Sequence, residues 1–185
     1  MHVGVLAIQG DFVKHILACA TIGARASEVR TVADLSAVDR LIIPGGESTT
    51  VGLLLERFGL GPAIIERADQ GMPMWGTCMG MILMASQVEG HEQYSLGLLD
   101  ITVRRNAFGA QVHSFEDEIS TKIAVRPVTG VFIRAPIVTQ LGDMAEAIAC
   151  YNGNIVGVRQ GNRLGTSFHP ELTEDVQIHQ WFVNL

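Results

Sequence analysis

Cysteine and histidine act as a nucleophilic pair only when a fold joins them, and two segments of this 185-residue sequence have the local form such a pair requires. Gly76-Thr77-Cys78-Met79-Gly80 is a glycine–x–nucleophile–x–glycine run with sulfur in place of oxygen. A nucleophile at such an elbow sits in a strained turn, and glycines two residues to either side let strand and helix approach closely. The position also opens a helix, whose positive end favours thiolate over thiol. Taken alone, the pentapeptide also fits a small buried Cys beside incidental glycines, since the chain has 20 of them.

His169-Pro170-Glu171 is the second segment. In an extended chain residues i and i+2 face one side, so Glu171 would hold one imidazole nitrogen of His169 and leave the other to face a nucleophile. A surface turn with a solvated Glu has the same look. A third run, Pro44-Gly45-Gly46-Glu47-Ser48-Thr49-Thr50, places adjacent glycines before a helix start, where backbone N–H groups can form a concave nest. It lacks the lysine of a phosphate loop, so its donors suit an oxyanion or a substrate carboxylate. A helix N-cap with turn glycines is the other reading. Arg104-Arg105 and Arg134 end β-like runs, where an arginine pairs either with a substrate carboxylate or with a surface acid.

The surrounding pattern is that of strands alternating with helices. Residues 3–8, 24–29, 40–43 and 72–75 read as strands, the first an unbroken apolar run of the kind buried on both faces. Residues 11–22, 48–55, 61–70 and 78–86 read as helices between and after them. The second half is β-like at 101–104, 130–133, 145–151, 155–159 and 164–168. Asn152-Gly153 marks a hairpin turn, and a last helix over 174–185 is capped by Thr173. The expectation is one α/β domain over residues 1–185: a mostly parallel central sheet with helices on both faces and a short antiparallel extension. In such sheets ligands bind beyond the carboxyl ends of the strands, where all three candidate turns fall.

Composition narrows the classes further. Hydrophobic residues are 48% and charged residues 17%, which excludes a disordered chain. The net charge is −6 and no Lys/Arg cluster interrupts it, so no nucleic-acid partner is expected. The apolar runs fall short of a membrane span. The opening residues lack a basic stretch and reach Gln9-Gly10-Asp11 too soon for a signal peptide, and three cysteines make no disulfide framework, so a cytoplasmic location is expected. Cys19 and Cys150 read as inert core thiols, and Met79, Met81 and Met84 as core filling. His2, His15, His91, His113 and His179 have no metal-ligand spacing and read as satisfied or exposed histidines. No metal or cofactor is called for.

The Cys78 and His169 segments together resemble the class I, triad-type glutamine amidotransferases. Within that superfamily the chain is similar to the glutaminase subunits of pyridoxal 5′-phosphate synthases. The likeness rests on Pro44 to Thr50, Arg105-Asn106-Ala107-Phe108-Gly109, Phe132-Ile133-Arg134-Ala135-Pro136 and Ser167-Phe168-His169-Pro170-Glu171-Leu172-Thr173, and it runs from Val3 to the last helix. The resemblance implies a flavodoxin-like three-layer sandwich. It implies hydrolysis of L-glutamine to glutamate and ammonia, the ammonia passing to a separate synthase (lyase) subunit in a heteromeric complex. By position, Cys78 would be the nucleophile, His169 the base and then acid, and Glu171 its orienting carboxylate. Gly46, Glu47, Ser48, Arg105, Ile133 and Arg134 match the family's glutamine-binding positions, and Gly45, Gly46 and Met79 would supply oxyanion N–H groups. Ala110 and Val13 depart from the family pattern, both outside the catalytic residues.

Two other classes compete. A non-catalytic regulatory subunit predicts decay of the Cys-His-Glu set, yet all three residues are present. A different cysteine hydrolase on the same fold would not call for the Arg105 and Arg134 segments. A loosely held Gly45-Gly46 turn further suggests a free subunit of low activity, with the partner ordering the turn.

Overall fold

The computed structural model of the chain describes residues 1–108 and 114–185; Gly109, Ala110 and His113 lie outside the described residues. The first half runs β1 (His2–Leu6), α1 (Phe12–Thr21), β2 (Arg25–Val29), α2 (Val32–Ser36), β3 (Arg40–Ile43), α3 (Ser48–Arg57), α4 (Leu60–Asp69), β4 (Met74–Thr77) and α5 (Met79–Met84). The second half runs β5 (Ala85–Val88), β6 (Leu99–Arg104), β7 (Phe115–Ile119), β8 (Val128–Phe132), β9 (Ile137–Leu141), β10 (Glu146–Tyr151), β11 (Asn154–Gln160) and β12 (Arg163–Thr166). A 3₁₀ turn (Pro170–Leu172) and α6 (Gln177–Val183) follow.

The main sheet has the order β2-β1-β3-β4-β12-β11-β9-β6-β5, with β10 hairpinned onto β11 and β7-β8 forming a separate antiparallel pair. From β2 to β12 all pairs are parallel, and β12-β11, β11-β9 and β9-β6 are antiparallel. This is the expected flavodoxin-like α/β architecture with its antiparallel extension. Side-chain alternation along the central strands makes the layers. Leu41, Ile43 and Met74 point into one core with Val51, Leu55 and Ile64, while Ile42 and Trp75 point into the other with Phe168, Ile178 and Phe182. Both faces of β3 and β4 are therefore buried, which is why their sequences carry no polar alternation.

Several local expectations are corrected. The helix expected over 78–86 stops at Met84, and residues from Ala85 form β5, which pairs in parallel with β6 (Ala85 with Leu99, Val88 with Val103) and so satisfies backbone groups a further helical turn would use otherwise. The helix expected over 174–185 spans only Gln177–Val183, and Thr173 does not cap it. Thr173 Oγ1 accepts instead from Asp175 N (3.1 Å), and Asp175 accepts from Gln177 N (2.9 Å), local turns that compete with helix. The α2 turn, closed by a Thr31–Asp34 capping box, and strands β7 and β9 fall outside the sequence reading. Cys150, on an outward-facing position of β10, is exposed rather than in the core, whereas Cys19 is buried, its thiol pushed up to about 11 by burial. The hairpin at Asn152-Gly153 forms as expected, both residues at positive φ (48° and 78°). Among the described residues no helix is long and apolar enough to cross a membrane.

Candidate active site

Three neighbouring parallel strands bring the three candidate turns side by side. β4 lies between β3 and β12, with Ile43 opposite Gly76 and Thr77 opposite Thr166. Their carboxyl ends therefore deliver Pro44, Cys78 and Ser167 to one edge, spaced by single strand separations.

Cys78 occupies the elbow between β4 and α5 at φ 50°, ψ −104°, a conformation that costs a non-glycine residue about 1–3 kcal/mol. Close packing holds it there. A Cβ on Gly76 would overlap the Gly80 backbone, and one on Gly80 would overlap the Ile43 carbonyl, so both glycines are required for strand, elbow and helix to meet. Cys78 N donates to Thr166 O (2.7 Å), tying the elbow to β12. The thiol is turned toward the Ile133 carbonyl (3.8 Å) and opens into a cleft of about 300 Å³. Gln9, Gly45, Gly46, Glu47, Ile133, Arg134 and His169 share that cleft with it.

His169 leaves the sheet where its N–H donates to Val131 O (2.9 Å). The extended geometry expected for His169 to Glu171 is replaced by the 3₁₀ turn, in which Pro170 supplies the fixed φ of a first helical position. The turn still aims Glu171 back at the ring: Oε1 lies 2.7 Å from His169 Nδ1, which leaves Nε2 for the cleft. Glu171 is buried, with no exposed side chain, and burial would raise its pKa. The two imidazoles of His15 and His169 outweigh that and hold the carboxyl well below its usual range. Burial likewise pushes the His169 imidazolium down, but hydrogen bonds and charge from Cys78 and Glu171 lift it to about 10. The buried Glu171 carboxylate thus favours the protonated form of the ring.

The Gly45-Gly46 turn closes one wall. A Cβ on Gly45 would overlap His169 Cε1, and Gly46 sits at φ 152° against Met79 and Gln9. Gln9 Oε1 accepts from Glu47 N (2.9 Å), a contact the sequence reading missed. Glu47 caps α3 by accepting from Thr49 N (3.1 Å) and Thr50 N (2.8 Å). These hydrogen bonds, that to Thr50 foremost, pull its carboxyl down to about 2. Arg105 pairs with Glu47 (3.2 Å) and donates to Gln93 Oε1 (3.1 Å), which also accepts from the buried Ser48 Oγ (3.1 Å). Gln93, too, carries no recognisable signal in its own segment. Arg104 turns away to Glu89 (2.7 Å), the surface pairing left open from sequence. Arg134, at φ 47°, lines the cleft with no ion-pair partner among the described residues. A narrower recess continues past Cys78 between Ser48, Met79, Ile82 and Arg105.

The elements thus bring Cys78 and His169 into one cleft with Glu171 behind the ring, and set Gly45, Gly46, Glu47, Ser48, Met79, Arg105, Ile133 and Arg134 around them, leaving out Arg104. A larger cleft, about 510 Å³, lies beside α1 and the 3₁₀ turn, lined by Lys14, Glu171 and Thr173 among others and by neither Cys78 nor His169. Two buried residues beneath the site, His15 and His179, were read from sequence only as unremarkable histidines. The available signal was a polar residue on the apolar face of each amphipathic helix, beside Ala18 and Cys19 in α1 and beside Phe182 and Val183 in α6.

Comparison with known proteins adds three findings. The model of the SNO glutamine amidotransferase family matches residues 5–185. The chain is similar to the pyridoxal 5′-phosphate synthase subunit PdxT of Herpetosiphon aurantiacus, 50% identical over 190 residues covering all of both chains. The PdxT of Niallia circulans is 46% identical over 185 residues, all of this chain and 97% of that one. A crystal structure of a glutamine amidotransferase superposes with TM-score 0.94 at 44% identity over 98% of this chain and 97% of that one.

Proposed function

Because the chain belongs to the SNO glutamine amidotransferase family, we propose that it hydrolyses L-glutamine to L-glutamate and ammonia through Cys78, His169 and Glu171. The ammonia then passes to the synthase subunit that assembles pyridoxal 5′-phosphate, in keeping with the names of its relatives. The observation that carries this reading is an imidazole with a buried carboxylate 2.7 Å from one nitrogen, in the same cleft as the elbow thiol.

Cys78 gives its proton to His169, and the thiolate attacks the side-chain amide carbon of glutamine. The carbonyl oxygen becomes an oxyanion, held by N–H groups of Met79 and the Gly45-Gly46 turn. When the C–N bond breaks, His169 hands its proton to the leaving nitrogen, so ammonia departs and a thioester remains. Water then attacks the thioester, His169 takes its proton and returns it to sulfur, and glutamate leaves with Cys78 restored. Glu171 keeps the ring in one orientation and stabilises each imidazolium. At the other end of the substrate, the Arg134 guanidinium faces an α-carboxylate. The Glu47 carboxylate, ionised through its N-cap bonds and steadied by Arg105, faces an α-ammonium group.

A glutamine-analogue electrophile tests the reading. Cys78 should be the thiol it alkylates, glutamine should protect it, and Cys78→Ala should lose ammonia release while still associating with the synthase subunit. Labelling of Cys19 or Cys150 in place of Cys78, or ammonia release by Cys78→Ala, would defeat it.

A further inference from the structure

Glu171 has two oxygens and His169 uses one. Oε1 is engaged at 2.7 Å, while Oε2 is buried and makes no hydrogen bond among the described residues, a costly position for a carboxylate oxygen. The group that faces it is His15, on α1, whose Nε2 lies 3.4 Å away with its own side chain fully buried. The same Nε2 lies 3.3 Å from Thr77 Oγ1, the residue immediately before Cys78. One ring therefore touches both the carboxylate that orients His169 and the strand end that carries the thiol.

His15 is itself fixed from behind. Its Nδ1 lies 3.0 Å from His179 Nε2 on α6, and the rings of His15 and His179 each meet Trp75 edge-on, with centroids 5.5 and 4.8 Å away. Arg40 on β3 anchors α6 by donating to Phe182 O (2.7 Å) and Val183 O (2.8 Å), a cation at a helix carboxyl end. The other nitrogen of His179, Nδ1, has no partner among the described residues. An orphaned acceptor is tolerated better than an orphaned N–H, which assigns the hydrogen of His179 to Nε2. That hydrogen is donated to His15 Nδ1, and His15 is left with its own N–H on Nε2, which is donated to Thr77 Oγ1 with Glu171 Oε2 close beside it at 3.4 Å. Burial pushes the His179 imidazolium down to about 3, which keeps that ring neutral and the tautomer fixed.

We propose that His15 is a positioning residue for the reaction, holding the Glu171 oxygen that His169 leaves and, through Thr77, the elbow of Cys78, with His179 fixing its tautomer. The inference rests on the proposed roles of Cys78, His169 and Glu171. The titratable groups around the ring are Glu171 from the 3₁₀ turn, His179 from α6 and Cys19 one turn along α1. His169 and Cys78 stand one contact further out, and Thr77 and Trp75 from β4 carry no charge.

The test is glutamine hydrolysis by the chain mixed with its synthase subunit, measured across pH for wild type, His15→Leu and His15→Gln, with unfolding midpoints in parallel. His15→Leu should lower kcat by roughly 10–100-fold, the range seen when groups supporting a reactive centre are removed, with KM nearly unchanged. Its pH profile should lose the limb set by the raised His169 imidazolium. His15→Gln, whose amide N–H reaches the same oxygen, should recover most of kcat. Wild-type kcat and pH profile in His15→Leu, or no rescue by Gln at an equal unfolding midpoint, would overturn the proposal. Should His15→Leu fail to fold, His15→Asn replaces it, since its amide falls short of Oε2; equal rates for Asn and Gln would then be the defeating result. Cys78→Ala run alongside separates the two levels. Ammonia release by that variant defeats the thioester reading itself, whereas its loss beside a fully active His15→Leu defeats only the role of His15.

Discussion

Glu171 is a charged group with almost no water around it, and its ionisation survives because imidazoles face both of its oxygens. Such an arrangement leaves a mark on the pH dependence of stability. The carboxyl is lowered from an ordinary 4.5, so its contribution is complete above that value and is lost as pH falls through the depressed folded value. His169 is raised from 6.5 to about 10, so its contribution is complete below 6.5 and disappears as pH climbs through about 10. Thermal unfolding followed from pH 6.5 to 10 should therefore give a midpoint that declines across the window in wild type and flattens in Glu171→Gln. Equal slopes would show that the pair does not couple folding to protonation. The types and spacing of Cys78 and His169 were legible in the sequence because elbow and tripeptide are local patterns. His15, His179, Gln9 and Gln93 were not, because what makes each of them matter is a partner on another element.

Between elements, the tolerances around the elbow separate stability from activity. Gly80 meets the Ile43 carbonyl, backbone against backbone, and neither can move without parting α5 from β3. Gly80→Ala should cost on the order of 1–3 kcal/mol, a fall in unfolding midpoint of roughly 2–4 °C for each kcal/mol at this chain length. Gly45 instead meets the edge of the His169 ring, a side chain that can rotate. Gly45→Ala should keep an unfolding midpoint close to wild type yet slow glutamine hydrolysis by about 10²–10³-fold, the scale of a lost oxyanion donor. Differential scanning calorimetry beside an ammonia assay distinguishes the two variants. Identical behaviour of both would mean that the Gly45 turn adapts and the ring does not depend on it. Apart from the short α2, strand–helix alternation was readable up to β4, where buried strands and amphipathic helices differ sharply in period. It failed at β5, whose residues Ala85 to Val88 continue an apolar helix and become a strand only because β6 offers an open edge.

For the whole molecule, one wall of the cleft is the glycine pair proposed to hold the oxyanion, with Gln9 bound to the next residue, Glu47. Glycines restrict their own backbone little, and ammonia released to water would be lost to the proposed synthase partner. The free chain should therefore hydrolyse glutamine slowly, and addition of the synthase subunit should raise kcat by ordering the Gly45-Gly46 turn. Equal rates with and without the subunit would reject this coupling. A rise confined to KM would place the partner's effect on glutamine binding instead.

The linear order of residues was sufficient for the chemical inventory: a thiol in a glycine-flanked elbow, an imidazole with a carboxylate two places on, a diglycine turn, and an acidic chain rich enough in apolar residues to bury a layered sheet. Those follow from short-range sterics and composition. Which turns became neighbours was decided by strand pairing, since β12 crosses the length of the chain to lie beside β4 and places Cys78 N on Thr166 O. Pairing of that range is set by the burial of both sheet faces together, a property no local window contains. The same packing brings α1 and α6 onto one face of Trp75 and turns two ordinary core histidines into a buried hydrogen-bonded pair beneath Glu171.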